Sequence, residues 1–382
     1  MKIINTFVAC LILKISVITG AEFTIATYNC GGLTQHYDYL RAASMEKLMQ
    51  ERYTAEPEYM SLNEKIQKIA LKILFSNDPI EKKLAQKEWD QKNYDHHFKF
   101  LTEIPTKKDS INKIWNEKSE SIITSYKVRP VIIHDEKVNQ MLDGHLDDLN
   151  KGKDLDRQEQ LQEARKIMAK RIFADHLNFD IFCLQEGDYL DPSLFPDTYE
   201  VLFTESSHSK NGIAWNKERF ELINPLGDIL GRAIAVQLLD KETGKIISIA
   251  SGHITGCNPY RIEKNASGIP DSAKGDNELQ AIVNLFDNQE TDLAIIGMDS
   301  NVTSLHPRLN ILKDGGYQLD YENYLEPTCT NPYQVLNTRI DWICLKTSLN
   351  ATIINIPVPS VGLNNIRTNI SDHKPVAAKI SY

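Results

Sequence analysis

Residues 370–376 read Ile-Ser-Asp-His-Lys-Pro-Val and run into an apolar stretch at 377–380. A carboxylate (Asp372) beside an imidazole (His373) can hold a metal ion and move a proton within one small space. An isolated Asp-His pair is ordinarily structural, so the weight lies in the polar clusters that precede it, placed where strands should end. Asn29 follows a β-type run and is succeeded by Cys30, Gly31 and Gly32; its ordinary reading is a turn. Glu186 follows the apolar residues 181–184 and Gln185, a position from which a carboxylate can bind a hard cation. His253 stands after Gly252 with Gly256 just beyond, where it can reach an anionic ligand.

Asp299 and Asn301 close a further strand pattern at 292–296, apolar from Leu293 onward. Alternate residues of an extended end point the same way, which sets a carboxylate and an amide on one side of one substrate atom. The carboxylate can orient or deprotonate a water; the amide fixes its direction without adding charge. Asp341, within Arg339-Ile-Asp-Trp-Ile, is either a salt-bridge partner of Arg339 or the residue that holds an imidazole in one tautomer.

The elements that must position these groups are short strands and amphipathic helices. Strand patterns occupy 23–28, 181–184, 199–203, 212–215, 233–239, 246–251, 292–296 and 338–343, with turns at Asn224-Pro225 and Thr243-Gly244. Helical periodicity covers 157–177 and 277–286. A helix feeding a fully apolar strand implies a layered α/β fold with strands covered on both faces. Between about 35 and 153 the composition changes to helical patterns at 39–53, 62–75 and 79–92, followed by weaker and more polar sequence. This segment reads as a helical insertion without strands of the core. Its His96, His97, His134 and His145 lack ligand spacing and are expected to be solvated.

The 382 residues, 41% hydrophobic, are enough for a sizeable core. A net charge of -9 excludes a surface covered in phosphate-binding cations, although a local basic groove is compatible with it. Residues 1–21, with Lys2, a mostly apolar run and a small Thr19-Gly20-Ala21 end, read as an export signal, so the expected location is secreted or periplasmic. The body then spans 22–382, with no stable membrane insertion expected. Of six cysteines the first would leave with the signal, and no C-x-x-C pair suggests zinc.

Taken in order, Thr-Tyr-Asn29, Leu-Gln-Glu186, Gly-His253, Gly-Met-Asp299-Ser-Asn301, Arg-Ile-Asp341-Trp-Ile and Ser-Asp372-His373-Lys-Pro-Val resemble the endonuclease/exonuclease/phosphatase superfamily. The resemblance covers residues 23–32 and about 157–382 and leaves the insertion outside. It implies a four-layer α/β sandwich of two packed, mixed sheets flanked by helices, with the site at one rim. It also implies Glu186 as the principal ligand of Mg²⁺ or Mn²⁺, with Asn29 beside it and Asp372 contributing. Asp299, assisted by Asn301, would orient the attacking water. His373, held by Asp341, would be the general base or a phosphate contact, and His253 would touch the scissile phosphate. Gly31 stands where some members carry an acidic ligand, and Tyr260 is the candidate for a tyrosine that nuclease members place beside the phosphate.

These parts suit metal-assisted attack by water on a phosphoester. No Ser or Cys sits in a nucleophile elbow. Nucleic acid is the leading substrate. A lipid or inositol phosphate is the alternative, although Asn337-Thr338-Arg339-Ile340 replaces the run expected of inositol 5-phosphatases and no basic amphipathic helix is evident. A catalytically silent binding protein on the same fold is the third reading.

Overall fold

The alternation of apolar residues forms two six-stranded mixed sheets and one small three-stranded sheet. The structure, a computed structural model, describes residues 21–31, 65, 68–69, 72–73, 76–92, 131–133, 136–137, 140, 158–205, 210–256, 268–302, 306–320, 328, 339–358, 361–363, 368–369, 371 and 373–382. In chain order the strands are β1 (Glu22–Asn29), β2 (Val131–Ile133), β3 (Ile181–Gln185), β4 (Tyr199–Phe203), β5 (Gly212–Asn216), β6 (Phe220–Ile229), β7 (Ala233–Asp240) and β8 (Ile246–His253). They continue with β9 (Leu293–Asp299), β10 (Gln318–Leu319), β11 (Asp341–Thr347), β12 (Thr352–Ile356), β13 (Val361–Leu363), β14 (Thr368–Asn369) and β15 (Val376–Ser381). Helices among the described residues include α1 (Pro79–Lys92), α2 (Gln158–Arg171), α3 (Gly268–Asp287) and α4 (Leu309–Asp314).

One sheet has the order β12-β15-β1-β3-β5-β4, the other β10-β11-β9-β8-β7-β6. Their facing sides enclose Phe23, Ile25, Ile181, Ile249, Ile295 and Ile343. The outer side of the first sheet packs Phe182 and Leu184 under Met168 of α2 and Phe173. The outer side of the second packs Ile296 and Trp342 under Leu279, Ile282, Val283 and Phe286 of α3, spaced three and four apart as one helical face requires. Helix, sheet, sheet, helix: the four-layer sandwich is present.

Several expectations change. Asn224-Pro225 is not a turn but lies inside β6, where register shifts on both sides of it accommodate the proline. Strands β6 and β12 lack a clear pattern because they are half exposed. The strand expected at 338–343 starts at Asp341. The helix after 157 is α-helical to Arg171, then widens to a π turn over Ile172–His176 that Leu177 N closes on Ile172 O at 2.8 Å. The helix expected at 277 begins at Gly268. The insertion does carry a strand: β2 pairs in parallel with β13, well away in sequence. Residues 1–20, the pattern at 39–53, and His96, His97, His134 and His145 lie outside the described residues. Cys30, Cys183 and Cys344 are free, buried thiols, so small-hydrophobe packing describes them.

Candidate metal and catalytic site

Strand parity builds the site. On the facing sides, the apolar series Ile25, Ile181, Ile249 and Ile295 gives way two residues on to Thr27, Cys183, Ser251 and Gly297. Gln185 crosses the gap, donating from Nε2 to Thr27 Oγ1 at 3.1 Å and to Ser251 Oγ at 3.0 Å. A Cβ on Gly297 would fall 2.7 Å from Cys183 Cβ, so only glycine lets the sheets approach this closely there. The next residues of the same parity are Asn29, His253 and Asp299, with Asp341 at the start of antiparallel β11. The register sets His253 and Asp341 on either side of Asp299.

Across the gap these residues meet as an ordered series. His373, leading into β15, places Nδ1 2.9 Å from Asp341 Oδ2 of β11. Asn29 of β1 donates from Nδ2 to Asp299 Oδ2 of β9 at 2.9 Å and to Glu186 Oε1 at 3.1 Å. Glu186, just beyond β3, has Oε1 3.3 Å from Nε2 of His253 at the end of β8. Asp299 Oδ2 is the hub, 3.7 Å from His253 Nε2 and 3.9 Å from His373 Nε2. Burial, then the neighbouring Asp341 charge, push the Asp299 carboxyl above the ordinary carboxylate range; His373, His253 and the Asn29 amide pull the other way.

Local devices hold the parts. Ser371 Oγ donates to Asn29 O at 2.7 Å and accepts from His373 N at 3.0 Å, tying both sides of the first sheet's rim. Thr328 Oγ1 accepts the backbone N–H of Ile340 at 3.0 Å and of Asp341 at 3.2 Å. Arg308, fully buried, donates through Nη1 to Thr255 O at 2.8 Å and Ser300 O at 2.9 Å, joining the loops that follow His253 and Asp299. Thr328 and Arg308 carry no local sequence signal, since Thr328 serves backbone N–H groups and Arg308 joins two backbone carbonyls to the Asp276 carboxylate, 2.8 Å from its Nε. Glu186 and Asn301 both sit at φ 51, the left-handed region that non-glycine residues enter at a cost of about 1–2 kcal/mol.

Asn301 departs from the alternation argument. Its left-handed backbone turns the chain, its N–H donates to Asp299 Oδ1 at 2.7 Å, and its side-chain amide donates to Ile254 O at 3.1 Å. Asn301 therefore fixes the Asp299 carboxylate and braces the His253 loop. Arg339 pairs with Asp320, not with Asp341. Asn29 presents Nδ2 to the carboxylates because Gly31 N donates to its Oδ1 at 2.9 Å. The position two after Asn29 has no room for a side chain: a Cβ on Gly31 would fall 2.1 Å from Glu186 Oε2. Asp372 and Tyr260 lie outside the described residues.

The donors suit a hard divalent cation. Ligand atoms of Glu186, His253 and Asp299 lie within 4.8 Å of one another, as do those of Asp299, Asp341 and His373. Two carboxylates converge on one buried spot bridged by a single amide, and Asp341 Oδ1 is buried with no hydrogen-bond partner. Such a concentration of acceptors fits a hard divalent cation better than a soft metal, because no thiolate is among them.

No family model matches the sequence, and no curated protein sequence matches it. The chain is similar to solved endonuclease/exonuclease/phosphatase structures. An endonuclease/exonuclease/phosphatase from Bacteroides vulgatus is 17% identical, with a TM-score of 0.44, over 57% of this chain and 90% of that one. The human Nocturnin catalytic domain with bound sulfate anion is 18% identical, with a TM-score of 0.43, over 57% and 86%. D. rerio TDP2 complexed with single strand DNA product is 16% identical, with a TM-score of 0.43, over 60% and 95%.

Proposed function

We propose that this protein is a divalent-metal-dependent phosphoesterase that cleaves phosphodiester bonds by direct attack of water, acting on nucleic acid and exported by residues 1–21. The observation that carries the reading is the convergence of Glu186, Asn29, Asp299 and His253 with the His373–Asp341 pair at one rim. Glu186 and Asp299 would hold Mg²⁺ or Mn²⁺, which when bound neutralises the phosphoryl oxygens and polarises phosphorus. Asp341 holds Nδ1 of His373, so its Nε2 faces the hub and can hand over or receive a proton. Asp299, whose carboxyl burial holds above the ordinary carboxylate range, stands beside both histidines and would orient the attacking water. His253 lies on the opposite side of Asp299, where it can donate to a phosphoryl oxygen as charge builds.

Nucleic acid is favoured over an inositol phosphate because Arg339-Ile340-Asp341-Trp342-Ile343 has the form common to nuclease members, and Asn337-Thr338-Arg339-Ile340 stands where inositol 5-phosphatases carry a different run. The test is one panel. Protein stripped with chelator and resupplied with Mg²⁺ or Mn²⁺ is offered single- and double-stranded DNA, RNA, phosphoinositides and sphingomyelin. Metal-dependent shortening of nucleic acid is expected. Lipid turnover without it transfers the reading to a lipid phosphodiesterase, and tight binding without turnover to a binding protein. Export is checked by the N-terminal residue of protein recovered outside the producing cell.

A further inference from the structure

The cross-sheet series has a next member. In the order β15, β1, β3, β5 of one sheet and β11, β9, β8, β7 of the other, the first three strand ends pair as His373–Asp341, Asn29–Asp299 and Glu186–His253. The following strands, β5 and β7, pack against each other and are entered by Asn211 and Arg232. Ile213 and Trp215 point into the space between the sheets, and alternation sets Asn211 on that same side. The ladder continues through Asn211, since Thr204 N donates to its carbonyl at 2.8 Å and its own N–H donates to Thr204 Oγ1 at 3.0 Å. Gly187 N donates to Lys210 O at 2.8 Å, which fastens this entry to the residue after Glu186. Arg232, opposite, accepts the His253 N–H on its carbonyl at 2.8 Å.

Asn211 is 0% exposed, and neither its Nδ2 nor its Oδ1 meets a hydrogen-bond partner in the protein. Asn29, Asp299 and His373 are buried to a similar degree, yet each is bonded. A buried amide without partners is costly to the fold and is retained where a ligand completes it. We propose that Asn211 is a substrate-binding residue whose Nδ2 donates to a nonbridging oxygen of the phosphoryl group that His253 contacts. This rests on the phosphoesterase reading above and extends the site by one strand on each sheet. Asn211 stands one residue before β5, outside the apolar run at 213–215 from which the strand is recognised.

The test compares wild type with Asn211→Leu, similar in shape, and Asn211→Ala, which relieves any overpacking. Metal-free thermal unfolding is measured first, then binding of inorganic phosphate to the Mn²⁺-loaded full chain by calorimetry. At least one variant is expected to melt at or above wild type, because no bond is lost, while its phosphate affinity falls about tenfold. Unchanged phosphate affinity in a folded variant overturns the assignment alone. Melting well below wild type in both variants also overturns it, since the amide would then have a structural partner. A wild-type protein that binds no phosphate overturns this assignment together with the phosphoesterase reading.

Discussion

The Asn29 amide and the Asp299 carboxylate, 270 residues apart in the chain, meet at 2.9 Å across the gap between the two sheets. The same Nδ2 reaches Glu186, so one neutral donor stands between two carboxylates at the spot where a cation would relieve both. That arrangement makes the metal-free fold and the metal-binding property answerable to the same residue.

Asn29→Asp should expose this coupling. A third carboxylate replaces the amide bridging the other two, and like charges at hydrogen-bond distance in a buried site repel. The metal-free variant is expected to lose about 1–3 kcal/mol of stability, the cost of leaving a buried acceptor unpaired. Mn²⁺ should restore more melting temperature to the variant than it adds to wild type. Denaturant titrations with and without Mn²⁺ check it; a variant as stable as wild type without metal contradicts the bridging role.

Glu186→Gln and His373→Ala should both abolish most turnover but differ in stability. The glutamine introduced by the first keeps an oxygen for the Asn29 amide at a position whose side chain is 27% exposed, so melting should be nearly unchanged while Mn²⁺ affinity drops. His373→Ala removes the partner of Asp341, a fully buried carboxylate whose other oxygen has none. Stability should fall, and adding Asp341→Asn should recover much of it. Neither the single nor the double variant should regain the general-acid/base contribution, worth about 10²–10⁴-fold. Recovery of turnover in the double variant would remove His373 from the mechanism.

The strand ends are legible because the buried apolar runs 181–184 and 293–296 stop just before Glu186 and Asp299, although parity sets Gln185 rather than Glu186 on the facing side and Glu186 leaves the strand at φ 51. Local pattern fails where backbone torsion leaves the strand. Alternation sets Asn301 on one face with Asp299, but its φ of 51 turns its amide to Ile254 O. Strand β6 escapes the pattern because its solvated face and internal proline mask alternation. Arg308 and Thr328 act on backbone groups that only the folded chain brings near.

Gly31→Ala tests the closeness of the first strand to Glu186. A methyl at this position would stand 2.1 Å from Glu186 Oε2 and 2.2 Å from its Cβ, so Glu186, already in a left-handed conformation, must move. Mn²⁺ affinity and turnover should both fall by at least about tenfold, with a stability loss of about 1–3 kcal/mol typical of overpacking. Calorimetric Mn²⁺ titration that matches wild type would show that Glu186 is not held where metal binding needs it.

At the opposite end of the sandwich, Asp240 of β7 joins the sheets and is expected to contribute to stability in a pH-dependent way. Its Oδ2 accepts from the Tyr382 hydroxyl and from Arg219 Nη2, the latter at 3.3 Å, while Arg219 Nη1 donates to Glu22 O at 2.7 Å. Burial pushes the Asp240 carboxyl upward, but the hydrogen bonds from Tyr382, Arg219 and the Glu242 N–H outweigh it and leave it below the usual range. A carboxyl more acidic in the folded than in the unfolded chain contributes stability that is complete above its unfolded value, near pH 4, and is lost as pH falls through the folded value. Wild-type stability should therefore decline below about pH 4, and Asp240→Asn should start lower at neutral pH and decline less steeply there. Urea midpoints between neutrality and strong acid measure both slopes. Parallel curves for the two proteins would mean that this clasp contributes nothing to acid unfolding, and would shift the cause to other carboxyls held below their usual range, such as Asp292 beside Lys245.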